Sequence, residues 1–175
     1  MMILKGKRVL TIVSNDYDDL EFHYPLIRLK EAGAEVVVAA LKKGETYKGK
    51  YGLSIVSDVS FIEVDITKFD ALVIPGGWAP DLLRRFDEVK NFVRYLDSHK
   101  KVIGAICHAG WVLSSAGILK GVTMTSTPGI KDDMMYAGAT WVDQPVVRSG
   151  HIITARRPPD LPEYLPVLID AIAKQ

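Results

Sequence analysis

Cys107 is the only cysteine of the 175-residue chain, and it stands between an apolar run and a histidine. The segment Lys101–Ala109 reads K-V-I-G-A-I-C-H-A. A strand-like stretch, Val102–Ile106, leads into Cys107, and a helix-like stretch, Gly110–Ala116, follows. A strand joined to a helix through one nucleophilic residue predicts an elbow, a tight turn that presents the side chain above the sheet edge. The helix N-terminus beneath it favours thiolate over thiol, and thiolate is the reactive form. The competing reading is a small buried apolar group, because free cysteines are often inert core residues. His108 is either a base for the thiol or a cap for the following helix. A Cys–His pair also needs a carboxylate to orient the imidazole.

Three further groups bear on that chemistry. Pro75-Gly76-Gly77 follows a strand-like run. It is an ordinary tight turn or a place where backbone approaches a ligand closely. In the second case the amides of Gly77 and His108 form an oxyanion hole. Asp16, Asp18, Asp19 and Glu21 crowd the first loop. Acids there complement a helix dipole, or one of them approaches the thiol. Asp18 is the best placed if Asp19 begins the helix, and as a neutral acid it would donate a hydrogen bond to the thiolate. His23, His99 and His151 show no ligand spacing, so neither a metal nor another cofactor is expected. Trp111, Trp141, Met134 and Met135 read as packing groups, whereas Trp78 lines the site entrance.

These residues need a frame. Arg8–Ser14, Glu35–Leu41, Asp70–Ile74 and Val102–Ile106 are buried-strand patterns, nearly continuous in apolar residues. Helical spacing lies between them, over Glu21–Ala32 and over Asp81–Ser98 with a break near Asp87. Lys42–Gly52 is a polar excursion, the last third holds several short strands, and a final helix spans roughly Pro162–Lys174. This order predicts an α/β fold with a mostly parallel sheet and helices on both faces. Ligands in such sheets bind beyond the carboxyl ends of the strands. The loops Asn15–Asp19, Pro75–Asp81 and Cys107–Ala109 should therefore converge with one segment from the last third.

The bulk properties exclude several classes. Residues 1–175 read as one domain. The 22 basic and 21 acidic residues nearly cancel, which argues against a generic nucleic-acid or membrane-surface binder. No apolar run approaches the ~18–20 residues needed to span a bilayer. The N-terminus lacks a secretory pattern, so a cytoplasmic protein is expected. The first loop is acidic and lacks glycine, which argues against a nucleotide pyrophosphate site.

Several segments together resemble the ThiJ/PfpI superfamily, and within it the PfpI-type intracellular proteases. They are A-L-V-I-P-G-G-W-A-P (Ala71–Pro80), A-I-C-H-A (Ala105–Ala109) and P-G-I-K-D-D-M (Pro128–Met134), with the order continuing through Trp141–Asp143 and Ala155–Leu161. The resemblance implies a flavodoxin-like three-layer sandwich, related to class I glutamine amidotransferases. It implies Cys107 as nucleophile, His108 beside it, and self-association into a dimer or a hexamer of three dimers. It also implies a third triad member from an adjacent subunit, at the position of Asp81. The acid that meets the cysteine from the first loop matches Asp18. At both positions the family glutamate is one methylene longer.

Two functions follow from the resemblance. One is a cysteine hydrolase, described in the family as peptidase and as glyoxalase or deglycase acting on methylglyoxal and its adducts. A small aldehyde suits a cramped elbow better than a folded polypeptide. The alternative is a redox-sensing or chaperone-like stress protein, in which Cys107 is oxidised to sulfenic and sulfinic acid.

Overall fold

The computed structural model describes residues 2–175. Its strands are β1 (Arg8–Ile12), β2 (Glu35–Ala40), β3 (Thr46–Lys48), β4 (Ser54–Val56), β5 (Val59–Ser60) and β6 (Ala71–Ile74). They continue as β7 (Val102–Ile106), β8 (Thr123–Met124), β9 (Thr140–Trp141), β10 (Val146–Ser149) and β11 (Ile152–Ala155). The helices are α1 (Asp19–Glu31), α2 (Ala79–Leu83), α3 (Asp87–Ser98), α4 (Gly110–Ala116), α5 (Lys131–Tyr136) and α6 (Leu161–Ala173).

Seven strands form one sheet in the order β10-β11-β7-β6-β1-β2-β5. Every pairing is parallel except that of β10 with β11. The all-apolar β6 and the glycine-containing β7 are buried along their whole length, as strands covered on both faces must be. α1 and α6 pack together on one face, and α3 and α4 on the other. The arrangement is the three-layer α/β sandwich expected from the strand–helix alternation. The Asp81–Ser98 pattern is interrupted as expected, between α2 and α3. No helix among the described residues is long and apolar enough to cross a membrane.

Strand order reverses between β1 and β6. After β1 the chain moves outward through β2 and β5, then returns to place β6 on the other side of β1. The loops after β1 and β6 therefore diverge, and the crevice between them opens at the carboxyl edge of the sheet. β7 lies next to β6, so Cys107 arrives at the same edge.

Candidate active site

Cys107 takes a left-handed backbone conformation, φ +61°, directly after the extended Ile106. A side chain in that region costs about 1–3 kcal/mol and persists only where surrounding structure enforces it. The enforcement is visible. The Cys107 carbonyl accepts from the Thr127 amide at 3.4 Å, which brings in the segment from the last third of the chain. The β1 and β6 loops lock together beside it. Asp18 N–H donates to the Gly76 carbonyl at 3.2 Å, and Trp78 N–H to the Asp16 carbonyl at 2.8 Å. Gly77 lies so close to the backbone of Tyr17 and Asp18 that no Cβ fits there. At Gly76 a Cβ would collide with the Glu21 carboxyl and stand 2.6 Å from Cys107 Cβ. The two glycines are thus what lets three loops close on one sulfur.

The carboxyl that bears on the thiol belongs to Glu21, not to Asp18. Helix α1 does begin at Asp19, but the consequence is the reverse of the one drawn from sequence. As N-cap, Asp18 folds its carboxylate back over its own helix, accepting from the amides of Leu20 at 3.1 Å and Glu21 at 3.3 Å. Its other oxygen pairs with Lys50 at 2.9 Å. The third helical residue is the one turned toward the sheet. Glu21 is fully buried, and its Oε2 accepts from the Gly76 amide at 2.8 Å. The longer glutamate that the resemblance called for is therefore present three residues later.

Electrostatics follow burial. Burial above all, then the neighbouring Asp18 charge, push the Glu21 carboxyl up to about 8, against the opposing pull of the Gly76 amide. Burial and the Glu21 charge also push the Cys107 thiol up, to about 12. The expected depression by the helix terminus is outweighed, because the turn at Cys107 buries the sulfur and α4 spans only seven residues. The backbone amides of His108 and Gly77 act in the other direction, favouring the thiolate. The same two amides expected as an oxyanion hole thus bear electrostatically on the reacting atom.

His108 Nδ1 lies 3.3 Å from Cys107 Sγ, so the sharp turn brings sequence neighbours together that a regular strand would point apart. Its ring sits between Trp78 and Trp111, each 4.9 Å away between centroids. Burial, with the Lys50 charge, lowers its affinity for a proton, so the imidazole is neutral near pH 7. Trp78 lines the opening, as its exposure of 59% shows. Trp111, expected only to pack, forms the other wall of the histidine slot. Asp81 lies on α2, half-exposed and paired with Arg85 of its own chain. Among the described residues no carboxylate hydrogen-bonds to His108.

Sequence reasoning preferred Asp18 to Glu21 among the first-loop acids, gave Trp111 only a packing role and missed Lys50. The D-x-x-E pattern of Asp18–Glu21 signals a capping box, but a capping glutamate would turn to its own N-cap amide, and this one turns to Gly76.

Comparison with known proteins agrees with this architecture. The DJ-1/PfpI family pattern matches residues 7–171. The chain belongs to the DJ-1/PfpI family. It is 44% identical over 154 residues to a deglycase of Pyrococcus horikoshii, covering 88% of this chain and 92% of that protein. It is 38% identical over 161 residues to General stress protein 18 of Bacillus subtilis, covering 91% and 94%. Among solved structures, DJ-1beta of Drosophila melanogaster superposes with a TM-score of 0.90 at 31% identity, covering 97% of this chain and 91% of that one.

Proposed function

We propose that this DJ-1/PfpI protein is a cysteine-dependent deglycase or glyoxalase whose substrates are small reactive carbonyl compounds. The observation that carries the reading is the placement of Glu21 and His108, with the amides of Gly77 and His108, about the sulfur of Cys107, a residue only 7% exposed. A folded polypeptide does not reach an atom so enclosed, whereas a two- or three-carbon aldehyde does, which favours aldehyde over peptide.

In molecules whose Glu21 is ionised, a fraction that grows as pH rises toward about 8, the carboxylate takes the thiol proton as the sulfur attacks the carbonyl carbon. The carbon–sulfur bond forms and the carbonyl π pair moves onto oxygen. The sulfur, now a thioether, is a poorer acceptor, so the Gly77 and His108 amides transfer to the developing oxyanion. Neutral His108 then moves protons on and off the adduct. Its missing orienting acid is Asp81 of a second copy of the chain. Exposed Trp78 and Leu82 flank Asp81 and give that face an apolar surface suited to self-association.

The test is methylglyoxal consumption by the wild type and by Cys107→Ser, with a peptide substrate alongside. We expect aldehyde turnover to fall at least ~10³-fold in the variant, with no peptide cleavage by either. Equal turnover in both proteins would overturn the reading.

The same donors favour a second role. A neutral Glu21 and the two amides are placed to hydrogen-bond the oxygens of a cysteine sulfinate. Selective, lasting gain of two oxygens at Cys107 after mild peroxide, without aldehyde turnover, would identify a redox sensor instead.

A further inference from the structure

Behind the elbow two buried polar atoms have no hydrogen-bond partner among the described residues, Glu21 Oε1 and the hydroxyl of Tyr164. Tyr164 lies on α6 and is fully buried. α6 packs on β7 and β11, and also on α1, the helix that carries Glu21. The Tyr164 hydroxyl occupies the space a side chain at residue 104 would fill, so Gly104 is what admits it. Residues 104 and 106 of β7 face the same side of the sheet. The hydroxyl thus sits under the strand that ends in Cys107, on the face that Glu21 shares. The Glu21 charge acts on it across this space and, after burial itself, is what holds the phenol above its ordinary range.

Buried hydroxyls and carboxyls are nearly always hydrogen-bonded, and enclosed water is the usual partner where the protein offers none. We propose that one enclosed water joins the Tyr164 hydroxyl to Glu21 Oε1, making Tyr164 the positioning residue that decides where the proton shared by Glu21 and Cys107 rests. The inference rests on the Cys107–Glu21 reading above. A hydrogen bond donated to Oε1 favours the ionised carboxylate, which keeps the proton on sulfur. Where the pair holds a single proton, above about pH 8, loss of that bond shifts the proton toward Glu21 and leaves more thiolate. Tyr164 therefore restrains the thiol in the resting protein, and it does so without touching substrate.

The test needs no turnover, so its outcome is separable from that of the deglycase reading. Alkylation of Cys107 by iodoacetamide is followed by intact mass across pH, for the wild type and Tyr164→Phe, each also in the Glu21→Gln background. We expect Tyr164→Phe to speed alkylation about 3–10-fold above about pH 8, where the pair holds a single proton, the sense of a larger thiolate fraction. The infrared band of the protonated Glu21 carboxyl should persist to higher pH in the same variant. In the Glu21→Gln background the change at Tyr164 should have no effect on alkylation, which a loss of packing alone would not predict. Superimposable pH profiles, or an effect that survives in that background, would overturn the proposal. So would a high-resolution crystal structure of the wild type with no water within hydrogen-bonding distance of both oxygens.

Discussion

Asp19 and Glu21 lie two residues apart in the first turn of α1, both buried, yet they are used in opposite ways. Asp19 is saturated. Its carboxylate accepts from the Tyr51 amide at 2.8 Å and the Leu53 amide at 2.7 Å, and lies so close to Gly49 that no Cβ fits between. It fastens the β3–β4 hairpin to the helix and so delivers Lys50 to Asp18. Glu21 has one backbone donor, a thiol beside it and one oxygen without a partner among the described residues. A fully paired buried carboxylate fixes structure, whereas an underpaired one remains available to exchange a proton. The difference between neighbouring acids separates scaffold from chemistry more sharply than their exposure does.

The largest effect should come from removing the exchangeable proton. Glu21→Gln keeps an acceptor for Gly76 but cannot take the thiol proton, and aldehyde turnover should fall ~10²–10³-fold. Stability should move the other way. The folded protein holds the Glu21 proton up to about pH 8, while the unfolded chain releases it near 4.5, the ordinary value of a glutamate. Between those values the native state binds more protons than the unfolded state, so the stability of the wild type declines as pH rises through that window. The full cost, up to about 4–5 kcal/mol, applies above it. Glu21→Gln removes that cost, so urea unfolding should show the variant gaining stability over the wild type at pH 9 and little at pH 4. A pH-independent difference would mean that Glu21 is ionised throughout.

Asp19→Ala should do the converse. The Tyr51 and Leu53 amides lose their acceptor, at a cost of about 2–3 kcal/mol, read as a lower urea midpoint. Turnover per folded molecule should change less than ~10-fold. If turnover instead collapsed while stability held, the contrast between the two acids would fail.

The parts of this arrangement legible in the sequence are those that depend on local pattern. The run Val102–Ile106 followed by Cys107 and His108 announces the elbow, and the order of buried strands announces which loops meet there. Glu21 was hidden because the choice between Asp18 and Glu21 depends on which way a helical turn faces the sheet. That facing is set by the N-cap bonds of Asp18 and by the approach of Gly76, and neither is a periodic signal. Lys50 was hidden for a longer-range reason. Nothing within Lys42–Gly52 says that Asp19 will hold the hairpin beside the sulfur from over thirty residues away. Trp111 reads as a packing residue because it is one, but what it packs is the imidazole of His108.

The smallest effect concerns the acid the chain does not supply to its own histidine. In one copy, His108 is walled by Trp78 and Trp111 and bonded to Cys107, while Asp81 faces outward with Arg85. If a second copy inserts its Asp81 there, Asp81→Ala should lower kcat ~10-fold by freeing the imidazole. The melting temperature should stay unchanged, because the bond lost within the chain is an exposed ion pair. A mixing experiment then decides whose aspartate acts. Asp81→Ala retains Cys107, and Cys107→Ser retains Asp81, so neither alone forms a complete site. Unfolded together and refolded as mixed dimers, they form sites that combine the thiol of one copy with the aspartate of the other. Recovery of turnover in the mixture shows that the site is shared between subunits. A mixture no more active than the sum of its parts shows that each subunit works with Glu21 and His108 alone.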